Sequence, residues 1–190
     1  MKTKLFILAM VVVFAVNKTT AQTLNANLDA TTVKWTGTKV VGSSHYGYIK
    51  LKDGNLELEK GHINTGHFTI DIKSMTNTDI ENQEYNQKLI GHLLSDDFFG
   101  AEKYPTAFLK ITSASKFKAN KASVKGELTI KGETLPIEFE VEKKETDFMA
   151  SISIDRTQYG IRYGSGSFFD NLGDKAIDND FTLDVKLVLE

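Results

Sequence analysis

From Val33 to the end of the chain, apolar and polar residues alternate with a period of two. Ala122, Val124, Gly126, Leu128 and Ile130 fall on one face of an extended segment, opposed by Ser123, Lys125, Glu127, Thr129 and Lys131. After Lys131-Gly132-Glu133-Thr134, which reads as a turn, Leu135, Ile137, Phe139 and Val141 alternate with Pro136, Glu138, Glu140 and Glu142. That pattern predicts a hairpin with one buried and one wet face. Phe148–Ile154 and Phe181–Leu189 continue it, and Val33/Trp35, Leu56/Leu58 and Phe68/Ile70/Ile72 begin it. Asp53-Gly54 predicts a further hairpin turn, between Tyr48–Leu51 and Asn55–Glu59.

The count is about eight strands, all suited to antiparallel neighbours. One helix interrupts them. Thr78-Asp79-Ile80-Glu81 has the form of a capping box, and Ile80, Leu89, Ile90, Leu93 and Leu94 recur at helical spacing beyond it. The helix ends near Ser95 and delivers the chain into a connection crowded with Phe98, Phe99, Tyr104 and Phe108. Four rings that each bury 150 Å² or more need cover, so this connection packs under something. Eight half-buried strands and one helix leave two all-β solutions, a sandwich or a closed barrel. A small barrel either fills its interior with side chains or holds one ligand, and periodicity alone does not choose.

The first residues alter the domain count. Lys2 and Lys4, an apolar run from Leu5 to Val16, and the small residues Thr19-Thr20-Ala21 form the pattern of a secretory signal, with cleavage expected before Gln22. The run is short for a membrane span, although an uncleaved anchor is the competing reading. Residues 22–190 are then one exported domain. Removing residues 1–21 takes away Lys2, Lys4 and Lys18 and no acidic residue, which moves the net charge from −2 to −5. A mildly acidic domain without a basic run argues against nucleic acid and anionic membrane surfaces as partners. The absence of Cys excludes disulfides and thiolate metal sites. His45, His62, His67 and His92 are scattered without paired ligand spacing, and no serine sits in a nucleophile elbow. No metal, cofactor or catalytic residue is therefore expected, and the end of the helix is the expected partner of His92.

Several segments resemble the YceI-like family of exported proteins. They are Leu94-Ser95-Asp96-Asp97-Phe98-Phe99, Lys103-Tyr104-Pro105-Thr106-Ala107-Phe108, Val124-Lys125-Gly126-Glu127-Leu128-Thr129-Ile130-Lys131-Gly132 and Ile154-Asp155-Arg156-Thr157-Gln158-Tyr159-Gly160-Ile161. Trp35, the Gly47 region and the final Asp184-Val185-Lys186-Leu187 strand extend the likeness from about Leu28 to Glu190. The resemblance implies an extended, lipocalin-like antiparallel β-barrel whose apolar interior holds a long isoprenoid chain, such as a polyprenyl phosphate or quinone. It also implies a periplasmic setting and, in some members, a homodimer. The connection Tyr163–Lys175, rich in glycine, departs from the plainest pattern, as a mouth loop or as a solvated hairpin.

For such a ligand the protein supplies a dry tunnel rather than reactive groups. The inward candidates are Val33 and Trp35, then Phe68 and Ile70, then Phe98, Phe99, Tyr104 and Phe108. Leu128, Ile137 and Phe139, together with Ile152 and Phe181, complete them from the later strands. Each has the alternative of packing in the core without touching ligand. Arg156 is the one polar candidate, as a fork for a pyrophosphate or quinone head group or as the partner of Asp155, Asp178 or Asp180.

Overall fold

The computed structural model describes residues 21–190. The expected export signal and its apolar run lie, but for Ala21, outside the described residues. Nine strands and one helix follow in the order β1 (Gln22–Asn25), β2 (Thr32–Lys39), β3 (Ser44–Glu59), β4 (His62–Asp71), α1 (Gln83–Leu94), β5 (Thr106–Ala114), β6 (Lys121–Ile130), β7 (Glu133–Lys144), β8 (Asp147–Asp155) and β9 (Ile177–Leu187).

Every ladder is antiparallel, and the sheet order β3-β2-β9-β8-β7-β6-β5-β4 closes through the β3–β4 pairing. The result is a closed eight-stranded barrel. The short β1 does not add a ninth position to the wall. It pairs with Asn55–Leu58 of β3, whereas β2 pairs with Ser44–Ile49 of the same strand edge. Asn25 also exchanges backbone hydrogen bonds with Glu190, past the end of β9. β1 and β2 therefore act as one strand interrupted at residues 26–31.

The alternation seen along the chain is the inside–outside alternation of this wall. Ala122, Val124, Leu128 and Ile130 point inward and are buried, while the outward-facing Ser123, Lys125 and Glu127 between them are exposed. Two details differ from expectation. Asp53-Gly54 is not a turn: β3 runs through it with a bulge between Leu51 and Asp53. A Cβ on Gly54 would stand 2.5 Å from the Phe68 ring, so the glycine makes room for a neighbour's side chain instead of reversing the chain. The reversal comes at Lys60-Gly61, both at positive φ, which is the backbone of a two-residue hairpin turn. The β6–β7 hairpin is also tighter than expected, with β7 already running from Glu133.

The helix is capped by Asn82, whose side chain accepts from the Tyr85 amide, and not by Thr78. The expected capping box is used otherwise. Thr76 and Thr78 amides donate to the Tyr48 and Tyr46 carbonyls, so residues 75–78 run along β3 where β4 has left it. Asp79 accepts from the Tyr46 amide. This lay-by is possible because Gly47 has no side chain: a Cβ there would meet the Thr76 carbonyl oxygen at 1.8 Å. The same oxygen accepts the Trp35 indole N–H at 2.9 Å, which satisfies the only polar atom of a buried ring paired across from Gly47.

One seam in the wall is incomplete. β7 and β8 pair only from Val141/Ala150 to Lys144/Asp147, next to their hairpin. Beyond it the strands splay, leaving Ile137 and Phe139 half-buried. Counting from the Ile130/Glu133 pair beside the β6–β7 turn, the nitrogen of Pro136 faces β8 and carries no hydrogen to donate.

Three outcomes follow. Gly47→Ala destabilises the fold by about 2–3 kcal/mol, since the obstruction is backbone and cannot rotate away. Gly91→Ala, with open space around its Cβ in α1, gains about 0.5–1 kcal/mol; urea unfolding of both variants is the check. In hydrogen exchange, the Glu138 and Ser153 amides, which face the open seam, lose protection well before the paired amides of β6.

Candidate functional site

The barrel interior is apolar along its length and is not filled. Two chambers adjoin, one of about 250 Å³ at the end covered by α1 and one of about 100 Å³ toward the opposite end. They share Ile70, Leu128, Ile154 and Leu183, which form the waist between them. The larger approaches the lower bound of small-molecule pockets, roughly 300 Å³.

The helical end supplies the roof of the wider chamber. Leu89 and Leu93 of α1 face into it, followed by Phe98 and Phe99 from the connection beyond the helix. That connection is clipped to the β6–β7 turn by Lys131, whose ammonium donates to the Asp96 and Phe98 carbonyls, each at 2.7 Å. Phe99 meets Phe181 edge to face, with ring centroids 6.2 Å apart. Polar groups gather at this end alone, where Lys39, Ser43, His45, Asp178 and Asp180 border the cavity at the rim and His92 and Arg156 border it further in. His45 Nδ1 donates to Asp79 at 2.7 Å. Burial works against the charge on Asp79, but the Tyr46 amide, His45 and Asn77 outweigh it and hold the carboxyl below its usual range.

The far chamber has almost no polar atom on its walls. Its end is plugged by Phe117, whose ring stacks on His62 and tilts against Phe148. The Phe117 amide donates to His62 Nδ1, which holds the plug in place.

Twelve of the candidates named from sequence border these chambers. Trp35, Phe98, Phe99, Arg156 and Phe181 line the wide one, and Phe68, Ile137, Phe139 and Ile152 the narrow one. Ile70 and Leu128 belong to both. Val33 also borders the narrow chamber.

Two candidates do not reach the interior. Phe108 lies on the outward face of β5, between Thr69 and Thr129 of its neighbours, and is 47% exposed. It lies on the opposite face from Ala107 and Ile111, which are the inward residues of β5. The ring of Tyr104 lies instead on the outside of the β6–β7 turn, against Gly132, with Lys103 over its face.

Arg156 is 3% exposed, and backbone carbonyls rather than the carboxylate partner named from sequence hold it. Its guanidinium donates to four backbone carbonyls: Asp178 from Nε, Ile161 and Tyr163 from one terminal nitrogen, and Ile177 from the other. No carboxylate stands within ion-pair distance of it among the described residues. Burial pushes its pKa down, and the Asp155 and Asp178 charges act in the other direction. The guanidinium also sits 5.5 Å from the Phe98 ring centre. It is a structural staple bordering the cavity.

His92 also departs from expectation, since its carbonyl and not its ring meets the Ser95 cap. The ring packs edge-on against Tyr163 and Phe98 and borders the wide chamber. The sequence reading missed Ile72, Met75 and Ile177 as cavity residues. Ile72 continues the Phe68/Ile70 alternation, but Met75 follows a single 3-10 turn and Ile177 opens β9 after a long loop, so no periodicity marks the direction of those two.

Comparison with known proteins agrees with this architecture. Among solved structures, BcnA of Burkholderia cenocepacia superposes with a TM-score of 0.65 at 20% identity, covering 85% of this chain and 98% of its own. A polyisoprenoid binding domain from Saccharophagus degradans gives 0.58 at 14% identity, covering 88% and 97%. The YceI protein of Campylobacter jejuni gives 0.54 at 22% identity, covering 74% and 82%. A UPF0312 protein of Staphylococcus epidermidis is 37% identical over 89 residues, 41% of this chain. The match spans about half, 49%, of that relative's length. The YceI-like domain matches residues 23–189, nearly every residue of the barrel, and the chain belongs to that family.

Proposed function

We propose that this protein is an exported, non-enzymatic carrier that sequesters a long-chain isoprenoid lipid, tail in the barrel and head group at the rim. The observation that carries the reading is the distribution of polarity: two adjoining apolar chambers, with polar side chains confined to one end. The name of the Saccharophagus degradans neighbour supports the ligand class, and the basic-then-apolar start of the chain supports export to the periplasm or the medium.

The energetics suit this role. Each methylene moved from water is worth about 0.8 kcal/mol, so each five-carbon unit brings about 4 kcal/mol before ordering costs. A few units suffice for micromolar affinity, and no specific polar contact along the tail is needed. A long chain needs more room than the two chambers hold at rest. The open β7–β8 seam is where the wall yields, because parting it breaks no ladder hydrogen bonds beyond Val141/Ala150. At the rim, Lys39 is the cation for a phosphate head, whereas a quinone would use Lys39 as a hydrogen-bond donor.

Lipid extraction of protein purified from its native host, followed by mass spectrometry, identifies an isoprenoid if the reading is right. Added polyprenol then raises Tm. An empty barrel together with an unchanged Tm would sink it and favour an interaction module. Phe99→Asp, which sets a charge against the tail, lowers affinity at least about tenfold, while Phe108→Asp on the outer face leaves it within about twofold. Arg156→Lys removes the fork that serves four carbonyls and lowers stability by about 2–4 kcal/mol. Below the melting transition its ligand affinity stays within about threefold; intact stability with lost affinity would return Arg156 to the head group.

A further inference from the structure

At the rim, the molecule exposes apolar side chains that its core does not need. The β2–β3 hairpin ends in Val40-Val41, which are 61% and 64% exposed. Hairpin tips ordinarily use Asn, Asp or Gly, and two β-branched residues there gain nothing from the turn. Beside this tip lies the connection from β8 to β9, where Phe168 and Phe169 stand 46% and 51% exposed. The two loops are joined by the Val40 amide donating to the Ala176 carbonyl.

Both loops are continuous with the cavity. Lys39 and Ser43 flank the tip and border the wide chamber, as does Ile177 at the end of the second loop. Nor are the phenylalanines loose. Their amides donate to the Ser165 carbonyl, and Ser165, fully buried, anchors to Asn179. The Arg162 guanidinium lies 4.7 Å from the Phe168 ring centre. A fixed ring pair with an arginine beside it is the chemistry of side chains that sit at a bilayer interface, ring in the acyl boundary and charge at the head groups.

We infer that these two loops dock on the surface of a neutral lipid bilayer, holding the barrel mouth where a lipid tail can pass directly between membrane and cavity. The inference rests on the lipid-carrier reading and adds where loading occurs. Charge selects the kind of surface. Lys39, Arg162 and Lys175 are outnumbered by Asp170, Asp174, Asp178 and Asp180 in the same two loops and the start of β9, so no net positive charge favours anionic head groups, and contact is driven by apolar burial and depends little on salt.

The test is co-flotation of the purified protein with phosphatidylcholine vesicles. The protein floats with them, and raising the salt from low to high ionic strength changes the bound fraction less than about twofold. The quadruple substitution Val40→Ser, Val41→Ser, Phe168→Ser, Phe169→Ser lowers the partition coefficient at least about tenfold, with Tm unchanged. The chain has one Trp, and Trp35 is buried, so Phe169→Trp adds the only exposed indole. Its emission shifts to the blue on adding vesicles and is quenched by brominated acyl chains. Absence of flotation, flotation that survives the quadruple substitution, or a self-associating species abolished by that substitution would each overturn the inference. The two readings fail separately. A protein that takes up polyprenol from detergent but never floats keeps the carrier function and loses the docking surface; one that floats but never acquires lipid loses the carrier function.

Discussion

The fold depends on one buried cation bonded to the backbone. Arg156 stands where β8 ends, and the chain must then cover the mouth before returning as β9. Its four donor bonds reach Ile161 and Tyr163 in the connection and Ile177 and Asp178 at the start of the returning strand. Desolvating a guanidinium is expensive, and here carbonyl dipoles rather than a carboxylate offset the cost. The choice matters for shape, because a carboxylate partner fixes one contact while four carbonyls fix two separate stretches of backbone. The face of the same guanidinium rests near Phe98, so the group that ties β9 to the barrel also steadies the roof of the cavity. Rim, roof and last strand are held as a unit.

The wall was legible in the sequence because its signal is repeated in every strand. One face dry and one face wet, strand after strand, leaves little freedom, and the inward residues of β6 and β7 could be named individually. The misreadings share a cause. Asp53-Gly54, Thr78-Asp79-Ile80-Glu81 and Phe108 were each interpreted from local chemistry, and each was decided by a distant neighbour. Gly54 yields space to Phe68; Asp79 serves the Tyr46 amide on β3. Phe108 lies on the wet face because β5 keeps Ala107 and Ile111 inward, whatever the size of the ring. Period, not hydrophobicity, sets direction in a strand. Arg156 was singled out correctly as unusual, but a sequence does not reveal carbonyls as partners, since every residue has one.

The cavity itself followed from no pattern. Alternation demands an inward apolar face and says nothing about whether facing side chains meet across the barrel. That they do not meet here reflects the covering elements. α1 and the Phe98–Phe99 segment lie over the open end, clipped by Lys131, while Phe117 closes the other end through His62. Cover supplied at the ends leaves the middle free of bulky plugs. The waist is made only of aliphatic residues, Ile70, Leu128, Ile154 and Leu183, whose rotamers change at little cost compared with a ring.

The two ends are chemically unequal, and that inequality gives the barrel a direction. At the Phe117 end the plug is held by a backbone hydrogen bond to His62, so the hydrocarbon wall has no polar exit. At the other end Lys39, His45, Asp178 and Asp180 surround the opening. An amphiphile that entered head first would strip its polar group of water against a wall with no partner for it, at a cost of several kcal/mol. Entering tail first, it gains with every methylene and leaves the head wet. For an amphiphile the wall itself would set the order of events: the tail would lead and the head would stop at the rim.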